Sequence, residues 1–347
     1  MRRLLEALGH VADPRTLPIA VTILLFGALF GFGSVMYTGF FSWQVLLDLL
    51  VDNAFLLIVA IGMTFVIVSG GIDLSVWVII PIVLLMGTVF GAVQGALIHF
   101  FRLQAFIVTL AGMFFARGLC FLITTQSITI TDPTFQKISA FRLDIGVGSV
   151  TANVLIAMVT LLAAIYVAHF TRFGRNVYAI GGNPRSALLM GLPVAGTRIG
   201  VYALSGFCSA LGGAVFTFYV LSGYGLQGQG MELDAIAATV IGGTLLTGGV
   251  GYVIGSLFGV GILGTIQTLI TFDGTLSSWW TRIVIGALLC AFCLLQRLIE
   301  RHAKSVGRPG GTGAVATAGR EHGHAHGESS AAASDSQVLG RAPERQA

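Results

Sequence analysis

Few residues in this 347-residue chain could do chemistry, and none is arranged for covalent catalysis. There is no G-x-x-x-x-G-K-[ST] phosphate loop, no nucleophile elbow and no H-E-x-x-H. Any ATP hydrolysis linked to this chain must therefore occur on another one. What remains is a set of polar side chains in apolar surroundings. The stretch from Val68 to Ser75 ends an apolar run with two glycines, a carboxylate and a hydroxyl. An ionisable group at membrane depth faces water or a partner, and Gly70-Gly71 lets a helix break there. Asp73 and Ser75 then either cap the following helix or line a path for solute. Arg117 sits mid-run between Phe115 and Leu119, where it either pairs with a nearby carboxylate or touches the solute. Gln227, Gln229, Glu232 and Asp234 precede a glycine-rich segment, and read either as a solvated loop or as partners for a solute's hydroxyl groups. Cys290 and Cys293, one helical turn apart, read as packing residues. His322, His324 and His326 read as part of a solvated tail, so neither a metal nor a cofactor is expected.

The second group is a basic connector. Thr171 to Gly191 carries Arg172, Arg175 and Arg185. Asn183 suits an N-cap and Pro184 the first helical position. A short helix over Ser186–Met190 is expected, closed by Gly191. Such a helix, held at a membrane face by arginines, is either a docking element for a soluble partner or a solvated connector.

The elements that position these groups follow from composition. The chain is 55% hydrophobic and 10% charged, with a mean hydropathy of +0.89. Half of its 34 charged residues lie before Pro18 or after Leu295. So few charges cannot coat a water-soluble domain, which carries roughly 25%. The fold class is all-α, a polytopic transmembrane helical protein. A crossing needs about 20 mainly apolar residues, and nine candidates stand at about 17–37, 52–69, 74–101, 105–125, 150–170, 198–222, 233–247, 251–272 and 278–295. The seventh is short and glycine-rich, hence broken or tilted. The third is long, and Pro81 interrupts it. The net charge of +4 does not indicate nucleic acid, because no basic stripe is interleaved with aromatics. Gly255 and Gly259 form a G-x-x-x-G face that serves either internal packing or a dimer contact. Trp279 and Trp280 read as an interface belt.

Organisation follows: residues 1–16 as a cytoplasmic N-terminus, 17–297 as the membrane domain with the connector at about 171–197, and 298–347 as a disordered cytoplasmic tail. Lys and Arg mark the inner side of a membrane. Head, connector and tail all carry them, so all three belong inside. Four crossings between connector and tail satisfy this, but five before the connector do not. The count is one crossing short, and the odd segment is 74–101.

Three stretches carry a resemblance. Residues 69–75 (SGGIDLS), 178–191 (YAIGGNPRSALLMG) and 232–249 (ELDAIAATVIGGTLLTGG) look like the signature stretches of permease subunits of sugar ATP-binding-cassette importers of the ribose, xylose and galactose type. The similarity runs from about Asp52 to Leu295. Residues 107–115 (IVTLAGMFF) and 272–283 (FDGTLSSWWTRI) look like the galactofuranose permease branch. The resemblance implies a multi-pass protein of the bacterial inner membrane, lipid-embedded, with both termini cytoplasmic. It implies a cytoplasmic ATPase, a periplasmic sugar-binding protein and a second permease subunit, either a sister permease or this chain itself. It implies a pathway for a monosaccharide, in which Asp73, Ser75, Arg117, Gln229, Glu232 and Asp234 are candidates. It places ATPase coupling on Gly182, Asn183, Arg185, Ala187 and Gly191. An ion-coupled secondary transporter is the competing reading; it would need intramembrane acid or histidine relays, of which the chain has few. Members of that family carry ten spans and about twenty more residues around Val76–Pro81, with glycine where this chain has Trp77. Either a span is absent here or 74–101 re-enters instead of crossing.

Overall fold

A computed structural model describes residues 17–70, 80–131, 133–144, 148–274 and 279–306. The helices are α1 (Leu17–Met36), α2 (Trp43–Val68), α3 (Ile80–Phe100), α4 (Ala105–Ile123), α5 (Pro133–Ala140), α6 (Ala152–Phe170), α7 (Arg172–Gly182), α8 (Pro184–Leu189), α9 (Val194–Val220), α10 (Met231–Ile241), α11 (Val253–Asp273) and α12 (Trp279–Val306). Seven of them (α1, α2, α4, α6, α9, α11 and the first part of α12) are long and apolar enough to cross a membrane among the described residues; a shorter apolar stretch, Leu84–Phe100, lies in α3. The fold is an all-α polytopic membrane protein.

The core is built on α2. Ser42 caps its start by accepting the Val45 amide at 3.2 Å, and from Ala54 to Val68 only Phe55 is not fully buried. A helix apolar on every side belongs inside a bundle, and α6, α9, α10 and α11 surround it. Glycines set how closely they approach. A methyl on Gly62 would lie 2.8 Å from Cys208 Cβ, and one on Gly87 would lie 2.6 Å from the Gly206 carbonyl oxygen. Gly91 meets the Tyr202 carbonyl, and Gly95 meets Ile199 and Tyr202. Gly87, Gly91 and Gly95 thus make one small-residue face of α3 against α9. That is the kind of seam that joins helices where no hydrophobic effect drives association.

The seventh expected span is a half-crossing. α10 stops at Ile241, and Gly242 and Gly243 turn the chain, Gly243 at φ 93°. The Leu245 amide then donates to the Val250 carbonyl at 3.0 Å, and α11 runs back from Val253. Carbonyls freed by such a break need partners inside a membrane. The Gln296 amide of α12 donates to the Val240 carbonyl at 3.3 Å and to the Thr244 carbonyl at 3.2 Å. The Thr22 hydroxyl donates to the Ile241 carbonyl.

The G-x-x-x-G face of α11 is used internally. Gly255 packs on Gly242, Gly259 on the Ala238 carbonyl, Gly261 on Phe26 and Gly264 on Asn53. The far end of the bundle carries two small antiparallel pairs, β1 (Ile128–Thr129) with β4 (Ser222–Gly223) and β2 (Arg142–Asp144) with β3 (Ser149–Thr151).

One boundary differs from expectation. The apolar part of α12 ends at Arg297, yet the helix continues to Val306, into what reads from sequence as a disordered tail. Leu298, Ile299, Glu300, Arg301 and Ala303 favour helix and extend it. The remainder of that tail, with His322, His324 and His326, lies outside the described residues, as does the head, 1–16.

Candidate functional site

The basic connector folds as two short helices joined at Asn183. Thr171 opens α7 by accepting the Gly174 amide at 3.2 Å. The Asn183 side-chain Oδ1 accepts from the Arg185 and Ser186 amides at 3.0 and 3.1 Å, so it caps α8. Pro184 takes the first turn, and Gly191 at φ 76° ends the motif. Ala187 is fully buried and anchors α8, while Leu188, Leu189 and Met190 are 65%, 88% and 68% exposed. Arg185 is exposed beside them. Of the residues predicted there, Asn183, Pro184 and Gly191 shape the helix and Ala187 seats it. The outward apolar surface belongs to three residues that sequence reasoning treated only as helix body.

Behind α8, the three signature stretches meet backbone to backbone. Gly181, near the end of α7, lies against the Val68 carbonyl at the end of α2, and a methyl on it would be 2.7 Å from the Gly249 nitrogen. The Gly249 amide donates to the Val68 carbonyl at 2.9 Å. A methyl on Gly248 would lie 3.0 Å from the Gly181 carbonyl oxygen and 3.1 Å from Gly70 Cα. Gly248 and Gly249 hold φ values of 85° and 76°, a region that favours glycine. The Tyr178 hydroxyl extends the junction by donating to the Gly251 carbonyl at 2.8 Å. Burial pushes its pKa up to about 12, with Tyr252 adding to the rise. Gly182, predicted as the coupling glycine, has open space in its side-chain direction; Gly181 is the one that does not.

The polar groups near α10 form a second cluster at the opposite end of α2. The Arg117 guanidinium pairs with Glu232 at 3.0 Å, the two side chains being 20% and 12% exposed. This tethers α4 to the first turn of α10, where a carboxylate also suits the helix dipole. Asp234 lies in a cavity of about 440 Å³ lined also by Asn53, Gln267, Thr281 and Arg282. Gln229 is exposed and contributes its backbone, whose carbonyl accepts from Arg282 at 3.3 Å. Asn53, Gln267 and Arg282 were not singled out from the sequence, although a polar residue inside an apolar span is a signal in itself. Asp73 and Ser75 lie outside the described residues.

Comparison with known proteins agrees with this architecture. The family model for the branched-chain amino acid transport system / permease component matches residues 75–293. The chain is 49% identical to the inner membrane ABC transporter permease protein YjfF of Escherichia coli K12, over 82% of this chain and 92% of that protein. It is 36% identical to the fructose import permease protein FruG of Bifidobacterium longum, over 84% and 94%. It is 36% identical to the ribose import permease protein RbsC of Bacillus subtilis, over 76% and 88%. No solved structure matches it. The alignment with the E. coli protein covers 306 positions, whereas 82% of 347 residues is about 285, so about 20 positions have no counterpart here. The shortfall is of similar size for the other two. With its multi-pass helical bundle, its half-crossing and its match over most of the length of these proteins, this chain belongs to the branched-chain amino acid transport system / permease component family, among permeases of ABC transporters.

Proposed function

We propose that this chain forms part of the membrane pathway for a monosaccharide in a bacterial ATP-driven importer, with energy supplied by a separate cytoplasmic ATPase that docks on α8. The observation that carries this reading is the exposed Leu188–Met190 surface beside Arg185, seated on a buried Ala187 and backed by the glycine junction. A docked ATPase that shifts α8 would move the ends of α2, α10 and α11 together. In this reading α7, α8 and the junction face the cytoplasm, as do both termini, and the Arg117–Glu232 cluster faces the periplasm. Fructose and ribose import among the relatives supports a sugar. The stretches at 107–115 and 272–283 point toward the galactofuranose branch. Asp234, Asn53, Gln267 and Arg282 line a cavity large enough for a monosaccharide and rich in hydrogen-bond partners. A periplasmic sugar-binding protein and a second permease subunit complete the assembly. The second subunit cannot dock through Gly255 and Gly259, which are occupied by α10.

Reconstitution in proteoliposomes with the ATPase and binding protein tests this. L189D, on the exposed face of α8, is expected to abolish sugar-stimulated ATP hydrolysis while leaving the purified permease folded. Uptake driven by an ion gradient without ATP would instead establish the secondary transporter, and uptake of branched-chain amino acids in preference to sugars would overturn the substrate class.

A further inference from the structure

The two helices that flank residues 71–79 run in the same direction. α2 lies antiparallel to α9, since Gly62 faces Cys208 and Ser205 while Gly212 faces Val59 and Phe55. α3 also lies antiparallel to α9, since Gly87 faces Gly206 and Ala210 while Gly95 faces Ile199 and Tyr202. Successive helices that both oppose a third are parallel to each other, so α2 ends and α3 begins at opposite ends of the bundle. Gly62 and Gly87–Gly91 stand level along α9, which puts Gly70 and Ile80 about 25 Å apart along the axis at 1.5 Å per residue. A helical crossing back over that height, with its turns, takes about 20 residues. Nine lie between them.

Two further observations give a deficit of the same size. About 20 aligned positions of the E. coli relative have no counterpart in this chain. Positive charge on the head, on the connector and after α12 demands an even number of crossings before the connector, and the described chain supplies five: α1, α2, α3, α4 and α6. We infer that this chain has lost one outward membrane crossing, a segment of about twenty residues, between α2 and α3. Re-entry of α3 is not the explanation, because its glycine face follows α9 across more than two turns. In the lipid-inserted chain the loss sets two requirements against each other. If α3 enters from outside, a nine-residue link must cross hydrocarbon, which non-helical backbone avoids. If α3 enters from inside, α3 to α12 invert together, Arg172, Arg175 and Arg185 face outward against the charge rule, and α2 loses the antiparallel packing on α9 made through Gly62 and Gly212.

Site-directed labelling tests this in the full chain with its four native cysteines replaced by alanine. T38C, L103C and M190C are labelled singly with a membrane-impermeant maleimide in intact cells. Each is made both in the native-length chain and in one carrying, after Ser75, a 21-residue apolar helical segment of leucine and alanine. In the lengthened chain T38C is expected to label from outside, and L103C and M190C only after permeabilisation. In the native-length chain some or all of L103C is expected to label from outside, and the detergent-purified protein to melt at a lower temperature than the lengthened one. Complete protection of L103C in the native-length chain, with a melting temperature equal to or above that of the lengthened chain, would overturn the inference. Outside labelling of L103C in the lengthened chain would overturn it as well.

Discussion

Replacing Gly181 by alanine tests whether the junction behind α8 is a close backbone contact. The new methyl would occupy the space of the Val68 carbonyl oxygen and come within 2.7 Å of the Gly249 nitrogen. Ordinary van der Waals contact begins near 3.4 Å, so α7 must withdraw from α2 and the 249 loop. Withdrawal breaks the 2.9 Å bond between the Gly249 amide and the Val68 carbonyl. Leaving a buried donor or acceptor unsatisfied costs about 1–3 kcal/mol. Alanine in a helix returns about 0.5–1 kcal/mol relative to glycine. The net loss centres on about 1 kcal/mol, or roughly a five-fold change in the population of the closed junction. Gly182→Ala is the matched control, because nothing lies within 4 Å of its added methyl and it is the last residue of α7. The assays are the thermal midpoint of the purified permease and, with the ATPase present, sugar taken up per ATP hydrolysed. Gly181→Ala is expected to lower both, and Gly182→Ala neither. Equal behaviour of the two variants would refute the contact as the carrier of the effect.

Asn183→Ala removes the acceptor for two amides at 3.0 and 3.1 Å and is expected to cost about 1 kcal/mol, read as faster proteolysis at α8 with the rest of the bundle protected. Arg117→Met leaves Glu232 without its guanidinium and is expected to lower the melting temperature; Arg117→Met with Glu232→Gln is expected to recover part of the loss, and no recovery would show that the pair is not coupled. For Tyr178, burial favours the neutral phenol and raises its pKa to about 12. Its contribution is therefore complete below the unfolded value near 10 and lost as pH rises toward about 12. Tyr178→Phe should flatten the stability profile in that window, and should lower stability at neutral pH by removing the 2.8 Å bond to the Gly251 carbonyl.

Much of this was legible in the residues because hydrocarbon leaves few choices. Apolar length alone located the spans. Asn183-Pro184 and Gly191 announced a capped short helix, and the short, glycine-rich seventh stretch announced a broken or tilted span. Arg117 suggested a carboxylate partner, which proved to be Glu232. Pairing across the fold was not legible. Of the connector's glycine pair it is Gly181 whose side-chain direction is closed by Val68 and Gly249, and only the position of Val68 decides between neighbours of identical type. The face formed by Gly87, Gly91 and Gly95 repeats every four residues and could have been read as a helix seam. Which side of α8 faces outward was not legible either: Ala187 is buried and seats the helix, while its larger neighbours Leu188 and Leu189 face outward. The role of Gln296 could not be foreseen, since its partners are carbonyls freed by a break more than fifty residues earlier in the chain.

The junction also explains why three separated stretches share a glycine pair. A contact between helices usually runs through side chains, whose rotamers can yield when one helix is displaced. Gly70, Gly181, Gly248 and Gly249 have no side chain to yield. A displacement of α7 therefore acts directly on the carbonyl end of α2 and on the turn between α10 and α11. α10 is the element most able to respond, because it ends in a turn rather than a full crossing and is held there by three hydrogen bonds from Thr22 and Gln296. Its other end carries Glu232, tied to α4, and Asp234, in the polar cavity. A single eleven-residue helix thus connects the surface proposed for the ATPase with the cavity proposed for the sugar. In the proposed importer, backbone contact at one end and an ion pair at the other would let that helix transmit a shift as a unit.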